Sequence, residues 1–170
     1  MKKRIIIGVV IALVLGVLLW RFIPRSASTV IPVDKSDVTS FAAISMVGRN
    51  LLGEPNFSIY RIDSADATTQ NIHDFLEILK TSRYQPDFRN LLPWGMDSIS
   101  ADRNYDSRTI TMQFACGDDY LDITFHSPTI ITISTKNESG FRIYHPTNKD
   151  TITKLVEYLE ANGTLQQSEE

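Results

Sequence analysis

The sequence predicts an α+β fold: an N-terminal transmembrane helix, then an antiparallel sheet with two helices packed on one of its faces. Three observations carry that expectation. Residues Ile5–Trp20 form an apolar run directly behind the basic start Met1-Lys2-Lys3-Arg4. Two stretches, around 72–79 and 152–159, place apolar residues at i, i+3, i+4 and i+7, as an amphipathic helix does. From Thr109 to Tyr144, apolar and polar residues alternate in short runs separated by turn residues, the period of half-buried strands.

The N-terminal run comes first in the chain and sets the topology. At about 1.5 Å per residue it reaches roughly 24 Å, short of a hydrocarbon core near 30 Å. Phe22 and Ile23 complete the span if Arg21 extends its guanidinium to the headgroups, with Trp20 as the interfacial aromatic. Lys2, Lys3 and Arg4 precede the run, and Arg21 and Arg25 follow it, a bias that favours a cytoplasmic N-terminus and a domain outside. The competing reading is a signal peptide cleaved near Ser26-Ala27-Ser28, which would release the domain as a secreted protein. The length of the apolar core, the arginines before that site and Pro24 favour the uncleaved anchor, placed at residues 1–23. Within the run, Gly8, Ala12 and Gly16 recur every fourth residue, a spacing that puts small residues on one helix face for close helix packing.

Charge separates the two parts of the chain. Residues 1–25 carry five Lys/Arg and no acid, whereas the remainder carries twelve Lys/Arg against twenty Asp/Glu. An acidic domain is repelled by phosphate backbones and by anionic lipid headgroups, which argues against nucleic-acid or membrane-surface binding by it. A single cysteine, Cys116, permits no internal disulfide, and with nothing basic beside it in sequence it reads as a small buried hydrophobe. The short basic start suits a bacterial membrane protein.

Residues 24–37, with two prolines and no sustained period, read as a linker. The domain is placed at 38–162. Val38–Val47 and Asn56–Ile62 read as strands around a Gly53-Glu54-Pro55 turn. Asp66 or Thr68 caps a helix whose apolar face is Ile72, Phe75, Leu76 and Leu79. In residues 81–108, Pro86 can open one short helical turn with Phe88, Leu91 and Leu92 on one side. Leu91, Leu92, Trp94 and Met96 are expected to cover an edge or end of the core, and Ser98–Arg103 to form a strand. Thr109–Cys116, Tyr120–His126, Ile130–Thr135 and Phe141–His145 follow as strands. The second helix, capped by Asp150, carries Ile152, Leu155, Val156 and Leu159 and stops at Asn162-Gly163. Residues 163–170 read as a flexible tail.

Phe57-x-Ile59-Tyr60 before the first helix is echoed by Phe141-x-Ile143-Tyr144 before the second, which supports two helices side by side on one sheet face. This order of elements, two strands, helix, several strands, helix, behind a single apolar N-terminal run, resembles the small exported domains of Gram-positive bacteria that hang from one helix. The resemblance implies a TATA-binding-protein-like or cystatin-like open sheet and transfers no catalytic residue.

Candidate sites are few. Asp102-x-Asn104-x-Asp106 matches the start of a calcium loop, but Ser107 and Gln113 stand where a glycine and a bidentate glutamate belong, so no metal site is expected. Tyr120, Asp122, Thr124 and His126 share one face of a strand. Asp122 and His126 lie about 13 Å apart along it, too far to pair directly. With Arg142 and Tyr144 they are expected to form the polar, solvent-facing side of the sheet, whose tyrosines and arginine suit a protein or cell-envelope partner. No motif for nucleophilic, metal or phosphate chemistry is present, and no catalytic residue and no cofactor is expected. The expectation is therefore a membrane-tethered extracytoplasmic binding module, more a binding protein than an enzyme. The alternatives are a small envelope hydrolase built on Asp122 and His126, or an accessory membrane subunit acting through the Gly8, Ala12, Gly16 face.

Overall fold

The computed structural model describes residues 2–34, 36–51, 54–91, 107–136 and 140–167. Helix α1 spans Lys2–Arg21, α2 Ala27–Val30, α3 Thr69–Lys80 and α4 Asp150–Asn162, and a 3-10 turn covers Phe88–Leu91. Strands β1 (Arg25–Ser26), β2 (Ser40–Leu51), β3 (Glu54–Ile62), β4 (Arg83–Pro86), β5 (Ser107–Cys116), β6 (Asp119–Ser127), β7 (Ile130–Thr135), β8 (Phe141–Pro146) and β9 (Thr164–Gln167) join in one sheet. Its order is β1-β4-β8-β7-β6-β5-β2-β3-β9, and every neighbouring pair is antiparallel. The α+β class, with α3 and α4 against one sheet face, is what the sequence patterns predict.

Alternation fixes which face is dry. Ile110, Met112 and Phe114 of β5 stand opposite Phe125, Ile123 and Leu121 of β6, and all six are buried. Ile72, Phe75, Leu76 and Leu79 of α3 close over them together with Ile152, Leu155, Val156 and Leu159 of α4. Full burial of one such side chain contributes about 1.5–3 kcal/mol. An aromatic chain runs across the layers. Phe41 of β2 lies 4.9 Å from both Phe114 and Phe75, and Phe75 meets Tyr158 of α4 edge-on at 5.1 Å.

The helices are finished by polar contacts. Thr68, one of the two expected caps, accepts a hydrogen bond from the Asn71 amide at 3.1 Å, while Asn71 accepts one from the Thr68 amide at 2.8 Å. At the other end of α3 the buried Tyr84 hydroxyl donates to the Leu79 carbonyl at 2.9 Å. Helix α4 begins at Asp150, but Asp150 itself is the first helical residue. Its amide donates to Asn148 Oδ1 at 3.1 Å, and Lys149 offers no side-chain cap. Gly163 ends α4 as expected, though not through left-handed backbone, since its φ is −93°. A Cβ there would sit 2.6 Å from the Leu159 carbonyl oxygen and 3.1 Å from that of Arg61, so close approach of two backbones selects the glycine.

The sheet order reads alike from both sides of the β6–β5 pair. Each side has a hairpin (β7–β8 or β2–β3), a helix leaving the hairpin's outer strand (α4 or α3), and a short strand after that helix. That short strand pairs with the outer strand of the opposite hairpin, β9 with β3 and β4 with β8. The echo between residues 57–60 and 141–144 thus corresponds to equivalent strands, with Tyr60 and Tyr144 both on the helix side.

Several segments depart from the sequence reading. Within the stretch read as a linker, Arg25–Ser26 pairs with β4, and Ala27, Val30 and Ile31 are buried in the core. Within the stretch read as a tail, Thr164–Gln167 pairs with β3. Three apolar residues without a period, and a polar Thr-Leu-Gln-Gln, carry no signal of these roles. Phe88 and Leu91 share a short helical turn as expected, but Leu91 does not cover the core, being 44% exposed. Leu92, Trp94, Met96, the proposed strand at 98–103 and the partial calcium pattern at Asp102, Asn104 and Asp106 lie outside the described residues. Among the described residues no helix is long and apolar enough to cross a membrane, so by that measure residues 1–23 do not qualify as a transmembrane span.

Candidate functional site

The sheet face away from the helices was the expected site, and β6 builds its middle. Odd residues of β6 point into the core, so Asp122, Thr124 and His126 point out, and all three are half-buried. Register then matches them with polar neighbours. Asp122 Oδ1 accepts a hydrogen bond from Gln113 Nε2 at 2.9 Å, and Thr124 and Thr111 hydroxyls lie 3.3 Å apart. His126 Nε2 lies 2.9 Å from Thr132 Oγ1, at a bulge in the β6–β7 pairing. Burial holds the His126 imidazole below its ordinary pKa, favouring the neutral ring. Tyr120, at the start of the same strand, is exposed.

Arg142 and Tyr144 do not belong to this face. In an antiparallel pair, residues directly opposite each other share a face, and Tyr144 stands opposite Ile131 while Arg142 stands opposite Ile133. Tyr144 is accordingly buried in the helix-side core. The face-sharing residue of β8 is Ile143, opposite Thr132, and both are buried. The physical reason is that β8 is covered on both sides at this point, so alternation of apolar and polar residues cannot say which side is which. On the far side of the same face Ile44 and Met46 of β2 are exposed, flanking an inward Ser45 whose hydroxyl is buried without a partner.

Asp122 and His126 engage different neighbours and are not brought together, so the structure assembles no acid–base pair from them. Gly8 and Gly16 lie on α1 with open space where a Cβ would stand. Cys116 is partly buried, and its thiol is pushed up by burial and then by Asp37 and Asp119, the opposite of an activated nucleophile. Among the described residues, no three His, Cys, Asp or Glu side chains gather as metal ligands would.

One polar constellation has no counterpart in the sequence reading. Asp87 follows β4 and is buried, yet it takes up four hydrogen-bonding contacts. Arg89 donates to it from its backbone at 2.7 Å and from Nε and Nη2 at 3.0 and 2.8 Å, and His145 Nε2 lies 2.6 Å from Oδ2. Burial pushes the carboxyl up, but the Arg89 and His145 contacts outweigh it and hold it at about 2. The other ring nitrogen of His145 lies 2.7 Å from the Thr129 carbonyl oxygen. Asn90 completes the set by donating to the Ile143 carbonyl at 2.7 Å and accepting from its amide at 2.8 Å. An Asp-x-Arg-Asn run after a proline is the only sequence signal for this lock, and it does not specify His145.

Two adjoining solvent-open hollows, about 260 and 350 Å³, lie between α3 and residues 27–37. Their walls mix Leu76 and Ile31 with Asp34, His73, Glu77 and Lys80, without the few convergent polar groups of a small-molecule pocket. No family model matches the chain, and no curated protein and no solved structure matches it either.

Proposed function

We propose that the chain is a membrane-tethered extracytoplasmic binding module: α1 holds it in the bilayer and the sheet domain meets a protein or cell-envelope partner outside. The observation that carries this reading is α1 itself. Its large apolar side chains from Ile5 to Trp20 are each more than half exposed wherever they are described, and none packs in the core. An exposed apolar surface of that extent is incompatible with water unless something covers it. The basic residues at both ends of the run suit headgroup contact. The open-sheet likeness to TATA-binding-protein-like or cystatin-like domains belongs to the same reading.

The binding surface in this proposal is the outer sheet face around Tyr120, Asp122, Thr124 and His126, continued by Thr111 and Gln113. Hydroxyls, an amide and an aromatic, with few full charges, describe an adaptable recognition surface better than a reaction centre. A photocrosslinking residue in place of Thr124 or Tyr120 in intact cells should capture a partner, and one in place of Glu157 or Lys154 on the outer side of α4 should not. Equal capture from both sides, or from neither, would remove the sheet face as the binding surface.

A further inference from the structure

We infer that the 3-10 turn Phe88–Leu91 is a second membrane contact, a rigid apolar foot that enters the bilayer interface beside the anchor and sets the tilt of the domain. The inference rests on the membrane-tethered reading above and adds a contact to it.

Polarity in this turn is reversed relative to an ordinary surface turn. Asp87 and Asn90 face the protein and are consumed by hydrogen bonds to Arg89, His145 and the backbone of Ile143. Phe88 and Leu91 are left outside, 62% and 44% exposed. A 3-10 turn has three residues per turn, so positions three apart stand on one side, and these two form a single apolar face. The Asp87 amide also donates to the Ile143 carbonyl at 3.0 Å, so the turn is pinned to the edge of β8 at several points. Two exposed hydrophobes on a fixed turn lose little conformational freedom on entering an apolar phase.

The strand register identifies the phase. Strands β1 and β4 are antiparallel with Arg25 opposite Tyr84 and Ser26 opposite Arg83. The chain therefore arrives at β1 from the same end by which it leaves β4. What arrives there is the end of α1, separated from β1 only by Phe22, Ile23 and Pro24, at most about 3.6 Å of reach each. What leaves there is Asp87 and the apolar face of the turn. Ile23 is half exposed at this corner and Trp20 more so, and Arg21 and Arg25 supply positive charge at headgroup depth. A bilayer that holds α1 is thus the nearest apolar phase to Phe88 and Leu91.

The test uses full-length protein in phosphatidylcholine–phosphatidylglycerol vesicles, with Cys116→Ser as background and single nitroxide labels on Leu13→Cys, Phe88→Cys and Tyr120→Cys. Power saturation with oxygen against a polar nickel chelate reads immersion at each site. The expected result is an oxygen-to-chelate ratio at 13 and at 88 several-fold above that at 120. A ratio at 88 equal to that at 120, with 13 in lipid, overturns the foot and leaves the anchor standing. A water-like ratio at 13 overturns both. Shielding of 88 from both agents together with dipolar broadening would mean that a second copy of the chain covers the turn, which also overturns the proposal.

Discussion

The strand–helix–strand units β3–α3–β4 and β8–α4–β9 hold equivalent places on either side of the sheet, yet their ends are finished differently. Helix α3 has a reciprocal Thr68–Asn71 cap at its start and the Tyr84 hydroxyl on its last turn. Helix α4 starts from Lys149 without a side-chain cap and ends where Gly163 slips past the Arg61 backbone. Beyond α3, strand β4 is covered by β1 and continues into the turn locked by Asp87. Beyond α4, strand β9 is the last in the sheet, with Leu165 half exposed. Equivalent topology has thus been given unequal reinforcement, with the greater share on the β3–α3–β4 unit.

Breaking the two units in turn should expose the asymmetry, and the largest effect is expected in the aromatic chain. Phe75→Ala should cost about 4 kcal/mol, more than Leu155→Ala at about 3, because Phe75 has ring partners on both sides; urea denaturation measures both. Asp87→Asn follows, at about 3 kcal/mol, since Arg89 and His145 lose a buried carboxylate. This change also carries a pH signature. The Asp87 carboxyl sits at about 2 in the fold against an ordinary 3.8, so the unfolded chain takes up the proton first. Wild-type stability should fall as pH drops from 3.8 towards 2, and Asp87→Asn should lose that component of the slope.

The α4 side should give smaller effects. Gly163→Ala forces apart backbones at Leu159 and Arg61 and should cost about 2 kcal/mol, with faster amide exchange at Leu165 as β9 loosens from β3. Thr68→Ala should cost about 1 kcal/mol through the lost cap of α3, and Asn148→Ala before α4 should cost less. The smallest effect belongs to His126. Burial lowers its pKa, so the unfolded ring protonates first and stability declines as pH falls through 6.5. His126→Gln should remove that decline in an acid titration.

Where one side of an element is dry and the other wet, the sequence reports it. Ile123 and Phe125 against Thr124, or Phe75 and Leu79 against Glu77, could be placed from period alone. Strand β8 shows the limit: Ile143 and Tyr144 are both buried, on opposite faces, so their alternation misassigns Arg142 and Tyr144. Short pieces show another. Ala27 and Val30 enter the core from a helix of four residues, and Ile31 from just beyond it, too few to set a period. Leu91 shows a third, since a large hydrophobe in a short turn carries no period to say whether it faces the core or, as here, the outside. The Asp87 lock joins residues 58 positions apart, a pairing no local pattern encodes.

The most direct test of the whole account is topology in intact cells. Tyr120→Cys on a Cys116→Ser background should react with a membrane-impermeant maleimide added outside, and the protein should stay in the membrane pellet through alkaline carbonate extraction. Labelling only after lysis, or release of the protein by carbonate, would contradict both the anchor and the outward domain.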